Sequence, residues 1–166
     1  MPRQVAEPQT HCFEPVFDEH SRILVLGSFP SVRSRAEGFY YGNPRNRFWQ
    51  MLSDIFAQPL PADNTSRREL LLSHGIALWD VIAQCEISGS SDASIRAARP
   101  NDIKLILDSC SIERILANGA TAYAAYNRLC AAALGRDAIK LPSTSPANAT
   151  WSLERLTAEW RRYIVN

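Results

Sequence analysis

Residues 23–49 read I-L-V-L-G-S-F-P-S-V-R-S-R-A-E-G-F-Y-Y-G-N-P-R-N-R-F-W, and the fold follows from how they divide. The first residues, Ile23, Leu24, Val25 and Leu26, are apolar without alternation, the pattern of a short strand buried on both faces of a parallel sheet. At the far end a helix begins, because Phe48, Met51, Leu52, Ile55 and Phe56 recur at helical spacing. Asn43 before Pro44 has the form of a cap followed by a first-turn proline, while Asn46 fits equally as the cap itself. The stretch between, residues 27–46, is far longer than the few residues that usually join a strand to a helix. Long loops in compact domains are usually functional.

Upstream, residues 1–20 carry three prolines and little periodicity, so an irregular arm is expected. Downstream, Ser66 and Glu69 have the spacing of a capping box for a second helix, which Gly75 ends. Residues 76–82, I-A-L-W-D-V-I, read as a second strand and S-G-S-S-D at 88–92 as a polar loop. Pro100 and Asn101 open a helix running through Leu107, residues 112–117 make a third strand, and Gly119 turns into an alanine-rich helix over about 121–134. A short fourth strand at 138–141 leads into P-S-T-S-P-A-N at 142–148, and the last helix, about 152–164, carries Leu153, Leu156, Trp160 and Ile164 on one stripe. Strands alternating with helices predict one domain over residues 1–166, a three-layer α/β/α sandwich around a four-stranded parallel sheet. In such sheets ligands bind beyond the carboxyl ends of the strands. Both unusual loops, 27–46 and 142–148, leave such ends, so both are expected to face one crevice.

The net charge of +1 gives no bulk basic character, but residues 31–47 hold Arg33, Arg35, Arg45 and Arg47 against Glu37 alone, a local balance of +3 suited to phosphate. Cys12, Cys85, Cys110 and Cys130 are far apart, and no histidine stands at ligand spacing, so free thiols are expected and no metal centre. The first ten residues lack the apolar core of a signal peptide and no apolar run is long enough to span a membrane, so a cytoplasmic protein is expected. The first loop offers no carboxylate pair, no Ser-His-Asp set and no P-loop spacing. Glu37 and Asp18 are read as the acids near it, each a surface charge. What remains is chemistry by positioning and electrostatics, through amides, backbone N–H groups and aromatic planes.

The run F-Y-Y-G-N-P-R-N-R-F-W at 39–49, following the Gly27-Ser28-Phe29-Pro30 turn, resembles the first active-site motif of the uracil-DNA glycosylase superfamily. L-P-S-T-S-P-A-N at 141–148 resembles its second motif, a Pro-Ser loop that presses into DNA. With S-G-S-S-D and the N-G-A-T-A turn at 118–122, the chain is most similar to the hypoxanthine-DNA (deoxyinosine) glycosylase branch. The resemblance implies a four-stranded parallel sheet between helices and hydrolysis of the N-glycosidic bond to a deaminated base in base-excision repair, after the base is flipped from the duplex. It implies DNA containing deaminated bases as the partner and no cofactor, and a monomer without a metal is expected. In mismatch-specific uracil/thymine members the turn after the first strand is G-I-N-P-G, and its asparagine activates water. Here Phe29 stands in that place, which favours hypoxanthine over uracil.

The catalytic amide of the hypoxanthine branch matches Asn46, with Asn43 the nearby competitor. Base binding is carried over to Gly27, Ser28, Phe29, Tyr41 and Asn43, with Tyr41 as the stacking ring. DNA contacts are carried over to Arg45, Arg47, Ser143, Thr144, Ser145, Pro146 and Asn148. Each residue also has an ordinary reading: Asn46 a helix cap, Tyr41 core packing, the serines and Asn148 turn formers. The rival functions are a uracil or mixed deaminated-base glycosylase and a non-catalytic DNA-lesion binding module.

Overall fold

The computed structural model describes residues 7–10, 13–87 and 96–165. Part of the arm expected to be irregular is strand β1 (Glu7–Thr10). Strand β2 (Ile23–Gly27) is buried along its whole length, as its unbroken apolar run requires. The long loop contains a helix, α1 (Val32–Glu37), which starts at Ser31; its Oγ accepts from Ser34 N–H at 3.1 Å. Alternating Ser and Arg give this helix no apolar stripe, so periodicity is silent about it.

Helix α2 (Phe48–Ile55) buries Phe48, Met51, Leu52 and Ile55, as their spacing predicts. Helix α3 (Asn64–Ser73) starts earlier than the Ser66–Glu69 spacing suggests. Asp63 is its cap, accepting from Ser66 N–H at 2.7 Å, which puts Ser66 inside the first turn. Strand β3 (Ile76–Asp80) ends two residues early because the chain bends at Val81, and Ile82 opens β4 (Ile82–Ile87). Strand β5 (Arg96–Pro100) takes in the proline expected to open a helix, and an edge strand tolerates it. Asn101 then donates its Nδ2 to the Asp80 carbonyl at 2.8 Å, and α4 (Lys104–Ser109) begins only after that tie. Strand β6 (Arg114–Asn118), α5 (Ala120–Tyr126), a π-helical turn (Asn127–Ala131), α6 (Ala132–Leu134), β7 (Ile139–Leu141) and α7 (Leu153–Ile164) follow in the expected order.

Strands β3-β2-β6-β7 pair in parallel as one four-stranded sheet, with helices flanking it in the expected α/β/α sandwich. A second, antiparallel sheet of order β1-β4-β5 was not expected. Its A-Q-C-E and R-A-A-R segments are poor in β-branched and aromatic residues, so local propensity does not announce it. The arm also covers the free edge of β3, where Val16 and Leu78 exchange backbone hydrogen bonds of 2.9 and 2.8 Å. The S-G-S-S-D loop lies outside the described residues. Cys110 and Cys130 are free thiols whose burial raises their pKa, and no described helix is long and apolar enough to cross a membrane.

Candidate active site

Gly27, Asp80 and Asn118 are the last residues of β2, β3 and β6, and a cleft of about 450 Å³ opens above them. That volume lies within the range of small-molecule sites, about 300–1,000 Å³. Gly27, Ser28, Phe29, Tyr41, Asn43 and Asn46 line it from the first loop. Ser143, Thr144, Ser145 and Pro146 line it from the second, so the two loops share one crevice. Arg45, Arg47 and Asn148 do not line it.

Asp80 is the functional candidate that sequence reasoning missed. It is only 3 % exposed, and it corrects the reading that Glu37 and Asp18 are the acids nearest the first loop. A methyl group on Gly27 would lie 2.3 Å from an Asp80 carboxylate oxygen and 2.9 Å from the Tyr41 hydroxyl, so glycine alone fits beneath them. The available signal was a carboxylate inside the apolar run I-A-L-W-D-V-I, since acids are rarely buried without a specific reason. Asp18, by contrast, is a turn former, accepting from His20 N–H at 2.9 Å and from the Ser21 hydroxyl at 3.4 Å.

The aromatic triplet divides. Tyr40 is core: its hydroxyl donates to the Glu14 carbonyl at 2.8 Å, and its own carbonyl accepts from Trp49 Nε1 at 3.1 Å. Tyr41 forms the cleft wall, with φ of 52°, a conformation that costs a bulky side chain energy and recurs at functional sites. Its ring packs on Phe48 at 4.4 Å between centroids, tilted by 39°.

Asn43 and Asn46 each make a local hydrogen bond, and neither occupies the cap position of α2. Asn43 Oδ1 accepts from Arg45 N–H at 3.0 Å, a side-chain turn. The cap position of α2 belongs to Arg47, whose side chain makes no capping bond, and Asn46 Oδ1, one residue ahead, accepts from Phe48 N–H at 3.0 Å. The same oxygen accepts from the Thr144 hydroxyl at 2.8 Å, which draws the second loop to the first. Asn118 brackets Thr144, accepting from its N–H at 3.0 Å and donating Nδ2 to its hydroxyl at 3.0 Å.

Thr144 is fully buried, so it does not offer the phosphate contact expected of it. Arg47 also departs from expectation. Its guanidinium donates to the carbonyls of Thr144 (3.3 Å), Ser145 (2.7 Å), Asn148 (3.1 Å) and Trp151, and its backbone N–H donates to the Thr144 carbonyl at 3.1 Å. It clamps the second loop instead of facing a phosphate.

Arg45 is exposed, as a phosphate ligand must be. Ser143 Oγ accepts from Ser145 N–H at 3.1 Å and Ser145 Oγ from Ala147 N–H at 3.2 Å, so each hydroxyl keeps its proton to donate. Asn148 is a turn former, its Nδ2 donating to the Ser143 carbonyl at 3.0 Å, and Pro146 and Ala147 form the exposed tip. The loop is seated from below by Trp160, whose Nε1 donates to the Pro142 carbonyl at 3.0 Å. It is seated from the side by Gly119 (φ 97°), where a methyl group would lie 2.9 Å from Ser143 Cβ.

The profile of the Uracil DNA glycosylase superfamily matches residues 14–164, and the chain belongs to that superfamily. Two curated relatives carry the name hypoxanthine DNA glycosylase. The one from Methanosarcina barkeri is 36% identical over 109 residues, 64% of this chain and 69% of the relative. The one from Methanosarcina acetivorans is 32% identical over 149 residues, 89% of this chain and 93% of the relative. A solution NMR structure described as a candidate uracil DNA glycosylase, also from Methanosarcina acetivorans, superposes with a TM-score of 0.79 at 30% identity, covering 95% of this chain and 99% of that one. The chain is therefore a DNA glycosylase, a hydrolase whose substrate is DNA.

Proposed function

We propose that this glycosylase is monofunctional and excises hypoxanthine from deoxyinosine-containing DNA in base-excision repair, with Asn46 as its catalytic amide. The observation that carries the reading is the placement of Asn46 in the cleft between the two loops, held at its oxygen by Phe48 N–H and the Thr144 hydroxyl. The names of the two relatives favour hypoxanthine, as does Phe29 where mismatch-specific members carry a water-activating asparagine. The glycosidic transition state gathers positive charge on the sugar and negative charge on the base, which an oriented amide and backbone N–H groups stabilise. Tyr41 and Phe29 supply apolar surface to a base flipped into the cleft. The Ser143 and Ser145 hydroxyls donate to phosphate oxygens, Arg45 adds charge, and Pro146 with Ala147 approaches the gap the base leaves. Neither motif contains a lysine, so the amine attack that cleaves the strand is not expected. The protein works as a cytoplasmic monomer without a cofactor.

The test is a labelled duplex with one deoxyinosine, incubated with the protein and then treated with alkali to break abasic sites. Cleavage is expected with hypoxanthine and should be slower with xanthine and uracil; no cleavage with any of the three refutes the reading. Asn46→Ala should lower excision by about 10²–10³ while binding to an abasic duplex is kept. Full activity in that variant would move the role to Asn43.

A further inference from the structure

We propose that Thr144 is a positioning residue that sets the polarity of Asn46, so that Asn46 acts through its N–H2 group as a donor to the departing base, not as an acceptor holding water. This rests on the glycosylase reading above and assigns the working atom within it. Two groups that can only donate fix the sense of every bond in the network. Phe48 N–H faces one side-chain atom of Asn46 at 3.0 Å, so that atom is the oxygen. Thr144 N–H faces one side-chain atom of Asn118 at 3.0 Å, so that is also an oxygen, and Asn118 Nδ2 must donate to Thr144 Oγ1 at 3.0 Å. The Thr144 hydroxyl, having accepted, spends its proton on Asn46 Oδ1 at 2.8 Å.

Both acceptor sites of the Asn46 oxygen are then filled, and its Nδ2 has no hydrogen-bond partner among the described residues. The amide therefore has only donor capacity to offer the cleft. A nucleophilic water needs an acceptor, whereas a leaving base gathering charge needs a donor. In the step so assisted, the bond from C1′ to the base nitrogen breaks and its electron pair passes to the base. A water oxygen bonds to C1′ and yields a proton to solvent, the base takes a proton from solvent, and no proton leaves Asn46.

The experiment uses the full chain and single-turnover excision of hypoxanthine, with binding to an abasic duplex measured in parallel. Thr144→Val keeps the shape and removes the hydroxyl; excision should fall about 10–100-fold with abasic-duplex affinity changed less than about twofold, and Thr144→Ser should restore it. Asn46→Asp keeps an oxygen for both donors but replaces the N–H2 with charged oxygen, and excision should fall more than about 100-fold. Unchanged excision in Thr144→Val, failure of Thr144→Ser to rescue, or retained activity in Asn46→Asp overturns the assignment. Folding of each variant is checked by circular dichroism, and the Asn46→Asp result stands even if Thr144→Val unfolds. A wild-type chain that excises nothing refutes the glycosylase reading, and this step with it. An active wild type with indifferent variants refutes this step alone.

Discussion

Replacing Arg47 with alanine should loosen the second loop without removing a DNA phosphate contact. The guanidinium of Arg47 reaches four backbone carbonyls, those of Thr144, Ser145, Asn148 and Trp151. A hydrogen bond from a charged donor contributes about 1.5–3 kcal/mol when fully sheltered. Here the loop is half-buried, so water replaces part of what is lost and the four contributions do not add in full. A net loss of about 2–4 kcal/mol is expected, smaller than the ~5–15 kcal/mol that holds a domain of this size together. The chain should remain folded, with its urea midpoint lowered and excision reduced, because the carbonyls of Ser145, Asn148 and Trp151 lose this donor and the Thr144 carbonyl keeps only the backbone N–H of residue 47.

The deciding measurement is the salt dependence of binding to an abasic duplex. Each phosphate contact contributes about 0.9 to the slope of log K against log salt. If Arg47 is a clamp, Arg47→Ala lowers stability and leaves that slope unchanged. Arg45→Ala is the mirror experiment: Arg45 is exposed, and its loss should flatten the slope by about one contact with stability unchanged. A flattened slope with undiminished stability in Arg47→Ala would refute the clamp and return Arg47 to the phosphates.

Two other substitutions probe the frame around the cleft. Gly27→Ala puts a methyl group 2.3 Å from an Asp80 oxygen at the end of two paired strands. It should cost about 1–3 kcal/mol by overpacking and reduce excision more than DNA binding, read by denaturation and single-turnover assays. Asp63→Ala removes the cap of α3 and should lower the melting temperature at pH 7 without changing the rate of excision. Hydrogen bonds from the Ser66 backbone and hydroxyl lower the Asp63 pKa in the folded state, so its stabilisation is present above the usual carboxylate range. It is lost as the pH falls through the folded pKa, so the gap between wild type and variant should close in acid.

The sandwich was legible because buried parallel strands are continuous apolar runs: residues 23–26 and 76–79 could hardly be read otherwise. The strands of the second sheet were not, since residues 82–87 and 96–100 are held by pairing with distant segments, and only Ile82 and Ile87 among them are β-branched or aromatic. The cleft was legible as two loops leaving strand ends, but not as a set of contacts. Asp80 reads as an interior residue of the expected 76–82 strand until the structure ends that strand at Asp80 and the register places it beside Gly27. Arg47 and Arg45 are equivalent as letters, and only the path of residues 142–151 turns one inward. Thr144 sits among turn-forming serines and prolines, and nothing local distinguishes the buried hydroxyl from the two with protons to donate.

An amide on the turn after the first strand of the sheet would be oriented by that strand. Here Phe29 fills the position, and the amide of Asn46 lies at the end of a long loop, where no strand supports it. Its orientation has to come from elsewhere, and the elements that supply it converge on one segment. The first turn of α2 gives Phe48 N–H, β6 gives the Asn118 amide, and the second loop gives Thr144. Asn46 and Arg47, adjacent in the chain, grip Thr144 at opposite ends: Asn46 accepts from its hydroxyl, while Arg47 donates to its carbonyl from both backbone and side chain. The amide cannot turn without breaking its bond to the Thr144 hydroxyl, and that hydroxyl cannot move without releasing the amide oxygen. The loop proposed to seat on DNA is thus part of the support of the amide proposed to act on the base. Substitution at the buried Thr144 should therefore reach the chemistry, whereas substitution at Ser143 or Ser145 should act first on DNA affinity.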